Sequence, residues 1–259
     1  MQIRLEHLTK TYLAGAERIE AVKDNSLIIP ENKIFGIIGK SGAGKSSLVR
    51  LMSLLEAPDE GAVYYDDKRV DNLDKAALIQ QRRKIGMIFQ NFNLFSSRTA
   101  GRNVAYPLEI CGMGKVEIEE RVREMLSLVG LEDRADAPIS TLSGGQRQRA
   151  WIAMTLAQDT DIILLDEPTT YLDMAYQLEI LTLLKKLNEE KDTTIVMVLH
   201  ELNLACKFAD NIIGLKKGSV ICQGRPADVI TAECLRAIYG IDACLVKSEN
   251  GYPICIDFK

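Results

Sequence analysis

The segment Ile34-Phe35-Gly36-Ile37-Ile38 is an unbroken apolar run. It passes into Gly39-Lys40-Ser41-Gly42-Ala43-Gly44 and then into a helical stretch from Ser46 to Leu55. An apolar run of that length, closed by a glycine-rich turn, reads as a strand buried on both faces. Strand, tight turn and helix in that order open a βαβ unit, so the chain is constrained to an α/β fold with a parallel sheet. The later sequence agrees. IILLD, a helical stretch from Met174 to Glu190, TTIVMVL, a helix near Leu202 to Phe208, then NIIGL and SVICQG alternate β with α. Ile3 to Glu6 alternates at period two, and Ser26 to Ile29, Ala62 to Tyr65 and Ile85 to Phe89 read as further strands. Between these, Ile118, Val122, Met125 and Val129 fall on one helical stripe, and Gln146 to Gln158 is helical again. A helical block interrupting the βαβ pattern predicts a subdomain nested in the core.

Composition narrows the function classes. The 259 residues are 47% hydrophobic and 26% charged, which excludes disorder for the bulk of the chain. A formal net charge of −4 disfavours a generic nucleic-acid binder. The longest uncharged stretch, Ile85 to Ser97, falls short of the ~20 apolar residues that a spanning helix needs. MQIRLEHLTK has no long apolar stretch, so no signal peptide is expected. The 6 cysteines form no CxxC pair, and only 2 histidines accompany them. The expectation is buried free thiols in a reducing compartment, with no zinc site.

Three strings carry chemistry. Gly39 to Ser46 fits GxxxxGK(S/T). Its glycines let backbone amides turn inward on a polyphosphate, Lys45 adds a point charge, and the Ser46 hydroxyl suits Mg²⁺ at a helix N-terminus. Asp161-Ile162-Ile163-Leu164-Leu165-Asp166-Glu167 sets two acids at the end of an apolar strand, where side chains of a parallel sheet face the ligand crevice. Asp166 is placed to hold Mg²⁺ and Glu167 to polarise water. Leu142-Ser143-Gly144-Gly145-Gln146 offers a capping serine and two bare glycine amides, a second helix N-terminus suited to a γ-phosphate.

In this order and spacing, the three strings resemble an ATP-binding cassette (ABC) ATPase, and the resemblance covers nearly the whole chain. It implies a P-loop NTPase (RecA-like) core of residues 1–90 and 156–259, with an N-terminal antiparallel β-subdomain and an inserted helical subdomain, 91–155. It implies ATP contacts from Gly39, Ser41, Gly42, Gly44, Lys45, Ser46 and Ser47, with Tyr12 stacking on adenine. Across a head-to-tail pair of chains, Ser143, Gly144, Gly145, Gln146 and Asp173 complete the site. Mg²⁺ would be held by Ser46, Gln90 and Asp166, and catalysis would fall to Glu167, His200 and Gln90. The second copy of the chain and membrane permease subunits are the implied partners. The permease would be met through Gln90 to Leu108, where Phe92 and Phe95 either form an exposed cluster or fill the subdomain core. Such a subunit sits on the cytoplasmic face of the inner membrane.

The branch within the family divides along the chain. Through about residue 130 the strings resemble methionine-importer ATPases, and from about 140 those of ferric-siderophore, haem and cobalamin importers. A recombined or engineered chain with a seam at 130–145 and a single divergent importer ATPase are both open at this point, as is an iron–sulfur-assembly ATPase. The C-terminal regulatory domain usual in methionine-importer ATPases is not expected in this length. Gly101 stands where a helix begins, at a cost of about 1 kcal/mol against alanine.

Overall fold

The computed structural model describes residues 1–15, 17–88, 94–170 and 172–259. Two long strands, β1 (Ile3–Ala14) and β2 (Glu17–Ile29), pair antiparallel. β3 (Ile34–Gly39) follows, buried along its whole length, and leads through the glycine turn into α1 (Lys45–Met52). β4 (Glu60–Tyr65) and the short β5 (Lys68–Arg69) join the first two strands in a four-stranded sheet ordered β2-β1-β4-β5. This is the antiparallel N-terminal layer. Its alternation faces Ile3 and Leu5 inward against α1 residues such as Leu48 and Met52 in one apolar cluster.

α2 (Lys75–Arg82) precedes β6 (Ile85–Ile88). The helical block is α3 (Ala100–Ile110), α4 (Lys115–Leu128), two short 3₁₀ turns and α5 (Gly144–Ala157). β7 (Ile162–Leu165), α6 (Met174–Lys191), β8 (Thr194–Val198), α7 (Leu202–Phe208), β9 (Asn211–Lys216) and β10 (Ser219–Gly224) return to the core. α8 (Pro226–Val229), α9 (Ala232–Tyr239) and a hairpin of β11 (Ala243–Lys247) and β12 (Pro253–Phe258) end the chain. The main sheet is ordered β10-β9-β3-β8-β7-β6 and is parallel except for β10, which runs antiparallel to β9. From β3 the chain jumps to the far edge at β6, steps back through β7 and β8, then crosses to β9. The order therefore reverses around β3, and the carboxyl ends of β3, β8 and β7 are the position where such sheets bind ligands.

The helical block packs by the expected stripe. Met125 and Val129 are buried, and Ile118 and Val122 pack half-buried against the same cluster as Trp151 of α5. Gly101 has a local reason. Its amide donates to the Ala135 carbonyl at 2.8 Å, and a Cβ at this position would lie 3.1 Å from that oxygen. Thr99 caps the helix by accepting from the Arg102 amide, which offsets part of the glycine cost.

The cysteines depart from expectation. They are free among the described residues, but only Cys206 is buried; Cys111 and Cys244 are exposed, and Cys222, Cys234 and Cys255 are half-buried. Among the described residues no helix is long and apolar enough to cross a membrane.

Candidate nucleotide site

The glycine turn is shaped by what surrounds it. Gly39 has φ +151° and Gly44 has φ +97°. A Cβ on Gly39 would lie 2.4 Å from the Leu215 carbonyl oxygen, and one on Gly44 would lie 2.0 Å from that of Ala21. Any side chain at either position would push the turn away from β9 or β2. Gly42, with nothing within 4 Å of a Cβ, faces open space, and Ser41 is exposed beside it.

Lys45, the first residue of α1, is buried, and its ammonium donates to the carbonyls of Gly39 at 2.9 Å and Lys40 at 3.0 Å. Burial pushes its pKa down, and the carboxylates of Glu167 and Asp166 push it back up. The Ser46 hydroxyl donates to Asp166 Oδ1 at 3.0 Å, so the turn after β3 meets the residue after β7. Asp166 is itself buried, with its amide donating to Ile88 of the neighbouring strand. Burial holds its carboxyl above the usual range, against the pull of the Ser46 hydroxyl.

Glu167 has φ +58°, a left-handed conformation unusual for a side chain of this size. That turn brings Glu167 Oε1 to 2.5 Å from His200 Nε2, at the end of β8, while Thr170 Oγ1 donates to Oε2 at 3.2 Å. Thr170 carried no signal of its own in the sequence beyond its nearness to Glu167. Lys45, Ser46, Asp166, Glu167 and His200 are thus joined by contacts across three adjacent strands.

The other expected positions sit elsewhere. Ser143 and Gln146 form a capping box on α5: Ser143 Oγ accepts from the Gln146 amide at 3.2 Å, and Gln146 Oε1 accepts from the Ser143 amide at 2.9 Å. Nothing lies within 4 Å of a Cβ on Gly144, while one on Gly145 would touch the Tyr176 ring at 3.5 Å. Asp173 caps α6 by accepting from the Tyr176 amide at 3.1 Å. Gly145 and Asp173 therefore meet at Tyr176. Tyr12, on β1, is half-buried, and its hydroxyl donates to Glu56 Oε2 at 2.5 Å beside Ser47. Gln90 and Phe92 lie outside the described residues.

The donor set fits Mg²⁺, a hard cation that takes hydroxyl, carboxylate and water oxygens. Ser46 Oγ and Asp166 Oδ1 converge, oxygen donors of the kind such a cation takes. A consequence can be measured. Because the folded pKa of Asp166 is raised, its contribution to stability is full below the unfolded value of about 3.9 and is lost as pH rises through the folded value. Asp166→Asn keeps an acceptor for Ser46 and removes the charge. We expect it to stabilise the nucleotide-free chain at pH 7, a gain that vanishes below about pH 4. Calorimetric melting at the two pH values checks this. Equal melting temperatures of variant and wild type at pH 7 would count against a burial cost on the Asp166 charge.

Residues 22–170 match the ABC transporter family. The methionine import ATP-binding protein MetN 2 of Bacillus cereus is 45% identical over 229 residues, covering 88% of this chain and 68% of that protein. MetN of Pasteurella multocida is 43% identical over 229 residues, covering 88% and 67%. A 229-residue match in a 259-residue chain must cross residues 130–145, so a single kind of relative spans both halves and the alternative of a recombined chain finds no support. Among solved structures, the dimeric post-hydrolysis state of the ATP-binding cassette MJ0796 bound to ADP and Pi superposes with TM-score 0.81 at 42% identity, covering 86% of this chain and 98% of that one. The structure of cbiO1 from Clostridium perfringens, part of the cbiONQ transporter complex, gives TM-score 0.81 at 29% identity, covering 92% and 95%. Family match, cassette fold and convergent phosphate-loop and acid residues lead to one assignment: the chain is an ATPase of the ABC transporter family.

Proposed function

We propose that this chain is the ATP-hydrolysing subunit of an importer for methionine or a solute of similar chemistry, working as a head-to-tail pair on the cytoplasmic face of the inner membrane. The observation that carries the reading is the convergence of Lys45, Ser46, Asp166, Glu167 and His200 at the carboxyl ends of three neighbouring parallel strands. The cargo is taken from the relatives, which are named as methionine import proteins.

The chain's own groups divide the work. Lys45 exchanges its two carbonyl acceptors for β/γ-phosphate oxygens, with the amides of the Gly39–Ser46 turn around it and Ser47 following on α1. Ser46, Asp166 and Gln90 would hold Mg²⁺, which when bound neutralises phosphate charge. Glu167 takes the proton of the water that attacks the γ-phosphorus, and the bond to the bridging oxygen of ADP breaks. His200, 2.5 Å from Glu167, positions that carboxylate and faces the γ-phosphate. Tyr12, held by Glu56 beside Ser47, offers its ring to adenine. The dimeric state of the similar cassette MJ0796 supports a complete site built from two chains in an isologous pair. In it Ser143, Gly144 and Gly145 meet the γ-phosphate, and Asp173 lies at the seam. We divide the chain into a core of 1–90 and 156–259 and a helical subdomain of 91–155.

The permease docks at residues 90–108 in this reading. Phe95 is 42% exposed, stacks edge-on to Tyr106 with ring centroids 4.6 Å apart, and shares the Arg98 guanidinium with it. Asn103 fixes this segment by bonding to both the amide and the carbonyl of Phe95. An exposed aromatic pair on a pinned backbone suits a short helix from a membrane subunit. Phe95→Ala combined with Arg98→Glu is expected to leave basal ATP hydrolysis intact and abolish its stimulation by a methionine-importer permease in proteoliposomes. Equal loss of basal and stimulated rates would show that the segment is structural and would remove it from the docking surface.

A further inference from the structure

The C-terminal segment holds a pair of thiols that the hydrolytic site does not use. Cys222 lies on the edge strand β10 and Cys234 in the first turn of α9, with the sulfurs 2.9 Å apart and Cys234 donating to Cys222. The cross-strand partner of Cys222 is Gly214 on β9. A Cβ there would lie 2.7 Å from Cys222 Sγ and 2.4 Å from Ile238 Cδ1, so its absence lets α9 seat on the sheet with the thiols in contact. Both cysteines are half-buried, within reach of a small oxidant and shielded from a bulky one. The hydrogen bond that Cys234 donates pulls the Cys222 thiol below its ordinary pKa and pushes the Cys234 thiol up, and burial adds to the rise. Of the two, Cys222 gives up its proton more readily to the thiolate, the nucleophilic form.

α9 connects this pair to the nucleotide site. Five residues after Cys234, about 8 Å along the helix, stands Tyr239. Its phenol, pushed up to about 12 by burial, bonds to the Gly39 backbone at the start of the glycine turn. Gly240, which ends the helix in a left-handed turn, lies beside Lys40 of the same turn, whose Nζ would be 3.9 Å from a Cβ there. One short rigid element thus touches the thiol pair at its first turn and the phosphate loop at its last.

We propose that Cys222 and Cys234 are a reversible oxidation site, with a peroxide as oxidant, whose disulfide draws α9 toward β10 and shifts the phosphate loop through Tyr239. The Cys222 thiolate attacks one peroxide oxygen; the O–O bond breaks, the sulfur becomes a sulfenic acid and water leaves. The Cys234 sulfur then attacks the sulfenic sulfur, the S–S bond forms and a second water leaves. In sum, two thiols and one hydrogen peroxide give one disulfide and two waters. The sulfurs need to close by about 0.9 Å to reach the covalent distance of about 2.05 Å. A disulfide of this kind in a reducing compartment is transient, as a sensor requires.

The test is treatment of the purified chain with stoichiometric hydrogen peroxide, followed by peptide mapping and ATP hydrolysis before and after dithiothreitol. The expected result is a Cys222–Cys234 link and a several-fold fall in hydrolysis, toward the ~100-fold that a 1 Å misplacement costs. Both effects reverse with dithiothreitol. Cys222→Ser and, to remove the thiol without adding a hydroxyl, Cys234→Ala are expected to hydrolyse ATP normally when reduced and to resist peroxide. A link between other cysteines, inhibition that persists in either variant, or a Cys222–Cys234 link that leaves hydrolysis unchanged would overturn the proposal. The mapping reads the link without reference to hydrolysis, so its failure is distinct from failure of the ATPase reading.

Discussion

Glu167→Gln is expected to lower ATP turnover by about 1000-fold while leaving ATP binding within a few-fold of wild type. The substitution keeps the size and the acceptor oxygen that meets His200 and removes only the capacity to take a proton. Glu167 holds a left-handed backbone without being a glycine, with φ +58°, and both carboxylate oxygens have partners, His200 at 2.5 Å and Thr170 at 3.2 Å. Strain of this kind, about 1–3 kcal/mol, is held where the surrounding structure needs a side chain aimed in one direction. Single-turnover measurement with labelled ATP checks the rate and filter binding checks affinity. Turnover near the wild-type rate would remove Glu167 from the role of base.

Lys45→Ala acts earlier, on binding. Its ammonium is buried and held by two carbonyl oxygens, a pair of acceptors that phosphate oxygens replace at little cost. A charged hydrogen bond of this kind contributes about 1.5–3 kcal/mol, so ATP affinity is expected to fall about 100-fold, read by titration calorimetry. Unaltered affinity with lost turnover would mean that Lys45 acts only in the transition state.

The sequence carried the nucleotide site further than it carried the C-terminal segment, for a physical reason. Phosphate chemistry demands glycines, a lysine and a hydroxyl at fixed spacing, and those constraints are local in the chain. β3 and β7 are equally legible because a strand buried on both faces must be apolar throughout, as Ile34–Ile38 and Ile162–Leu165 are. α9 has only eight residues, of which Leu235 and Ile238 are fully buried, too few for a periodic signal to stand out. β5 is two residues long, and the β11–β12 hairpin has one half-exposed face, so neither leaves a strong pattern. The thiols read as buried because cysteine commonly is; what leaves Cys222 and Cys234 half-buried between α9 and β10 is tertiary packing around Gly214. The role of Gly101 was likewise invisible, since the Ala135 carbonyl that crowds it comes from thirty-four residues later.

The paired site is the central claim, since Ser143–Gln146 is organised with Asp173 and Tyr176 while Lys45 is organised with Asp166 and Glu167. Two phosphate-binding faces repel when empty and are joined when ATP lies between them. Equilibrium sedimentation of Glu167→Gln, with and without Mg-ATP, measures this directly. The account predicts the 28.8 kDa monomer without nucleotide and twice that mass with Mg-ATP. The same mass in both conditions, whether monomer or dimer, would contradict it.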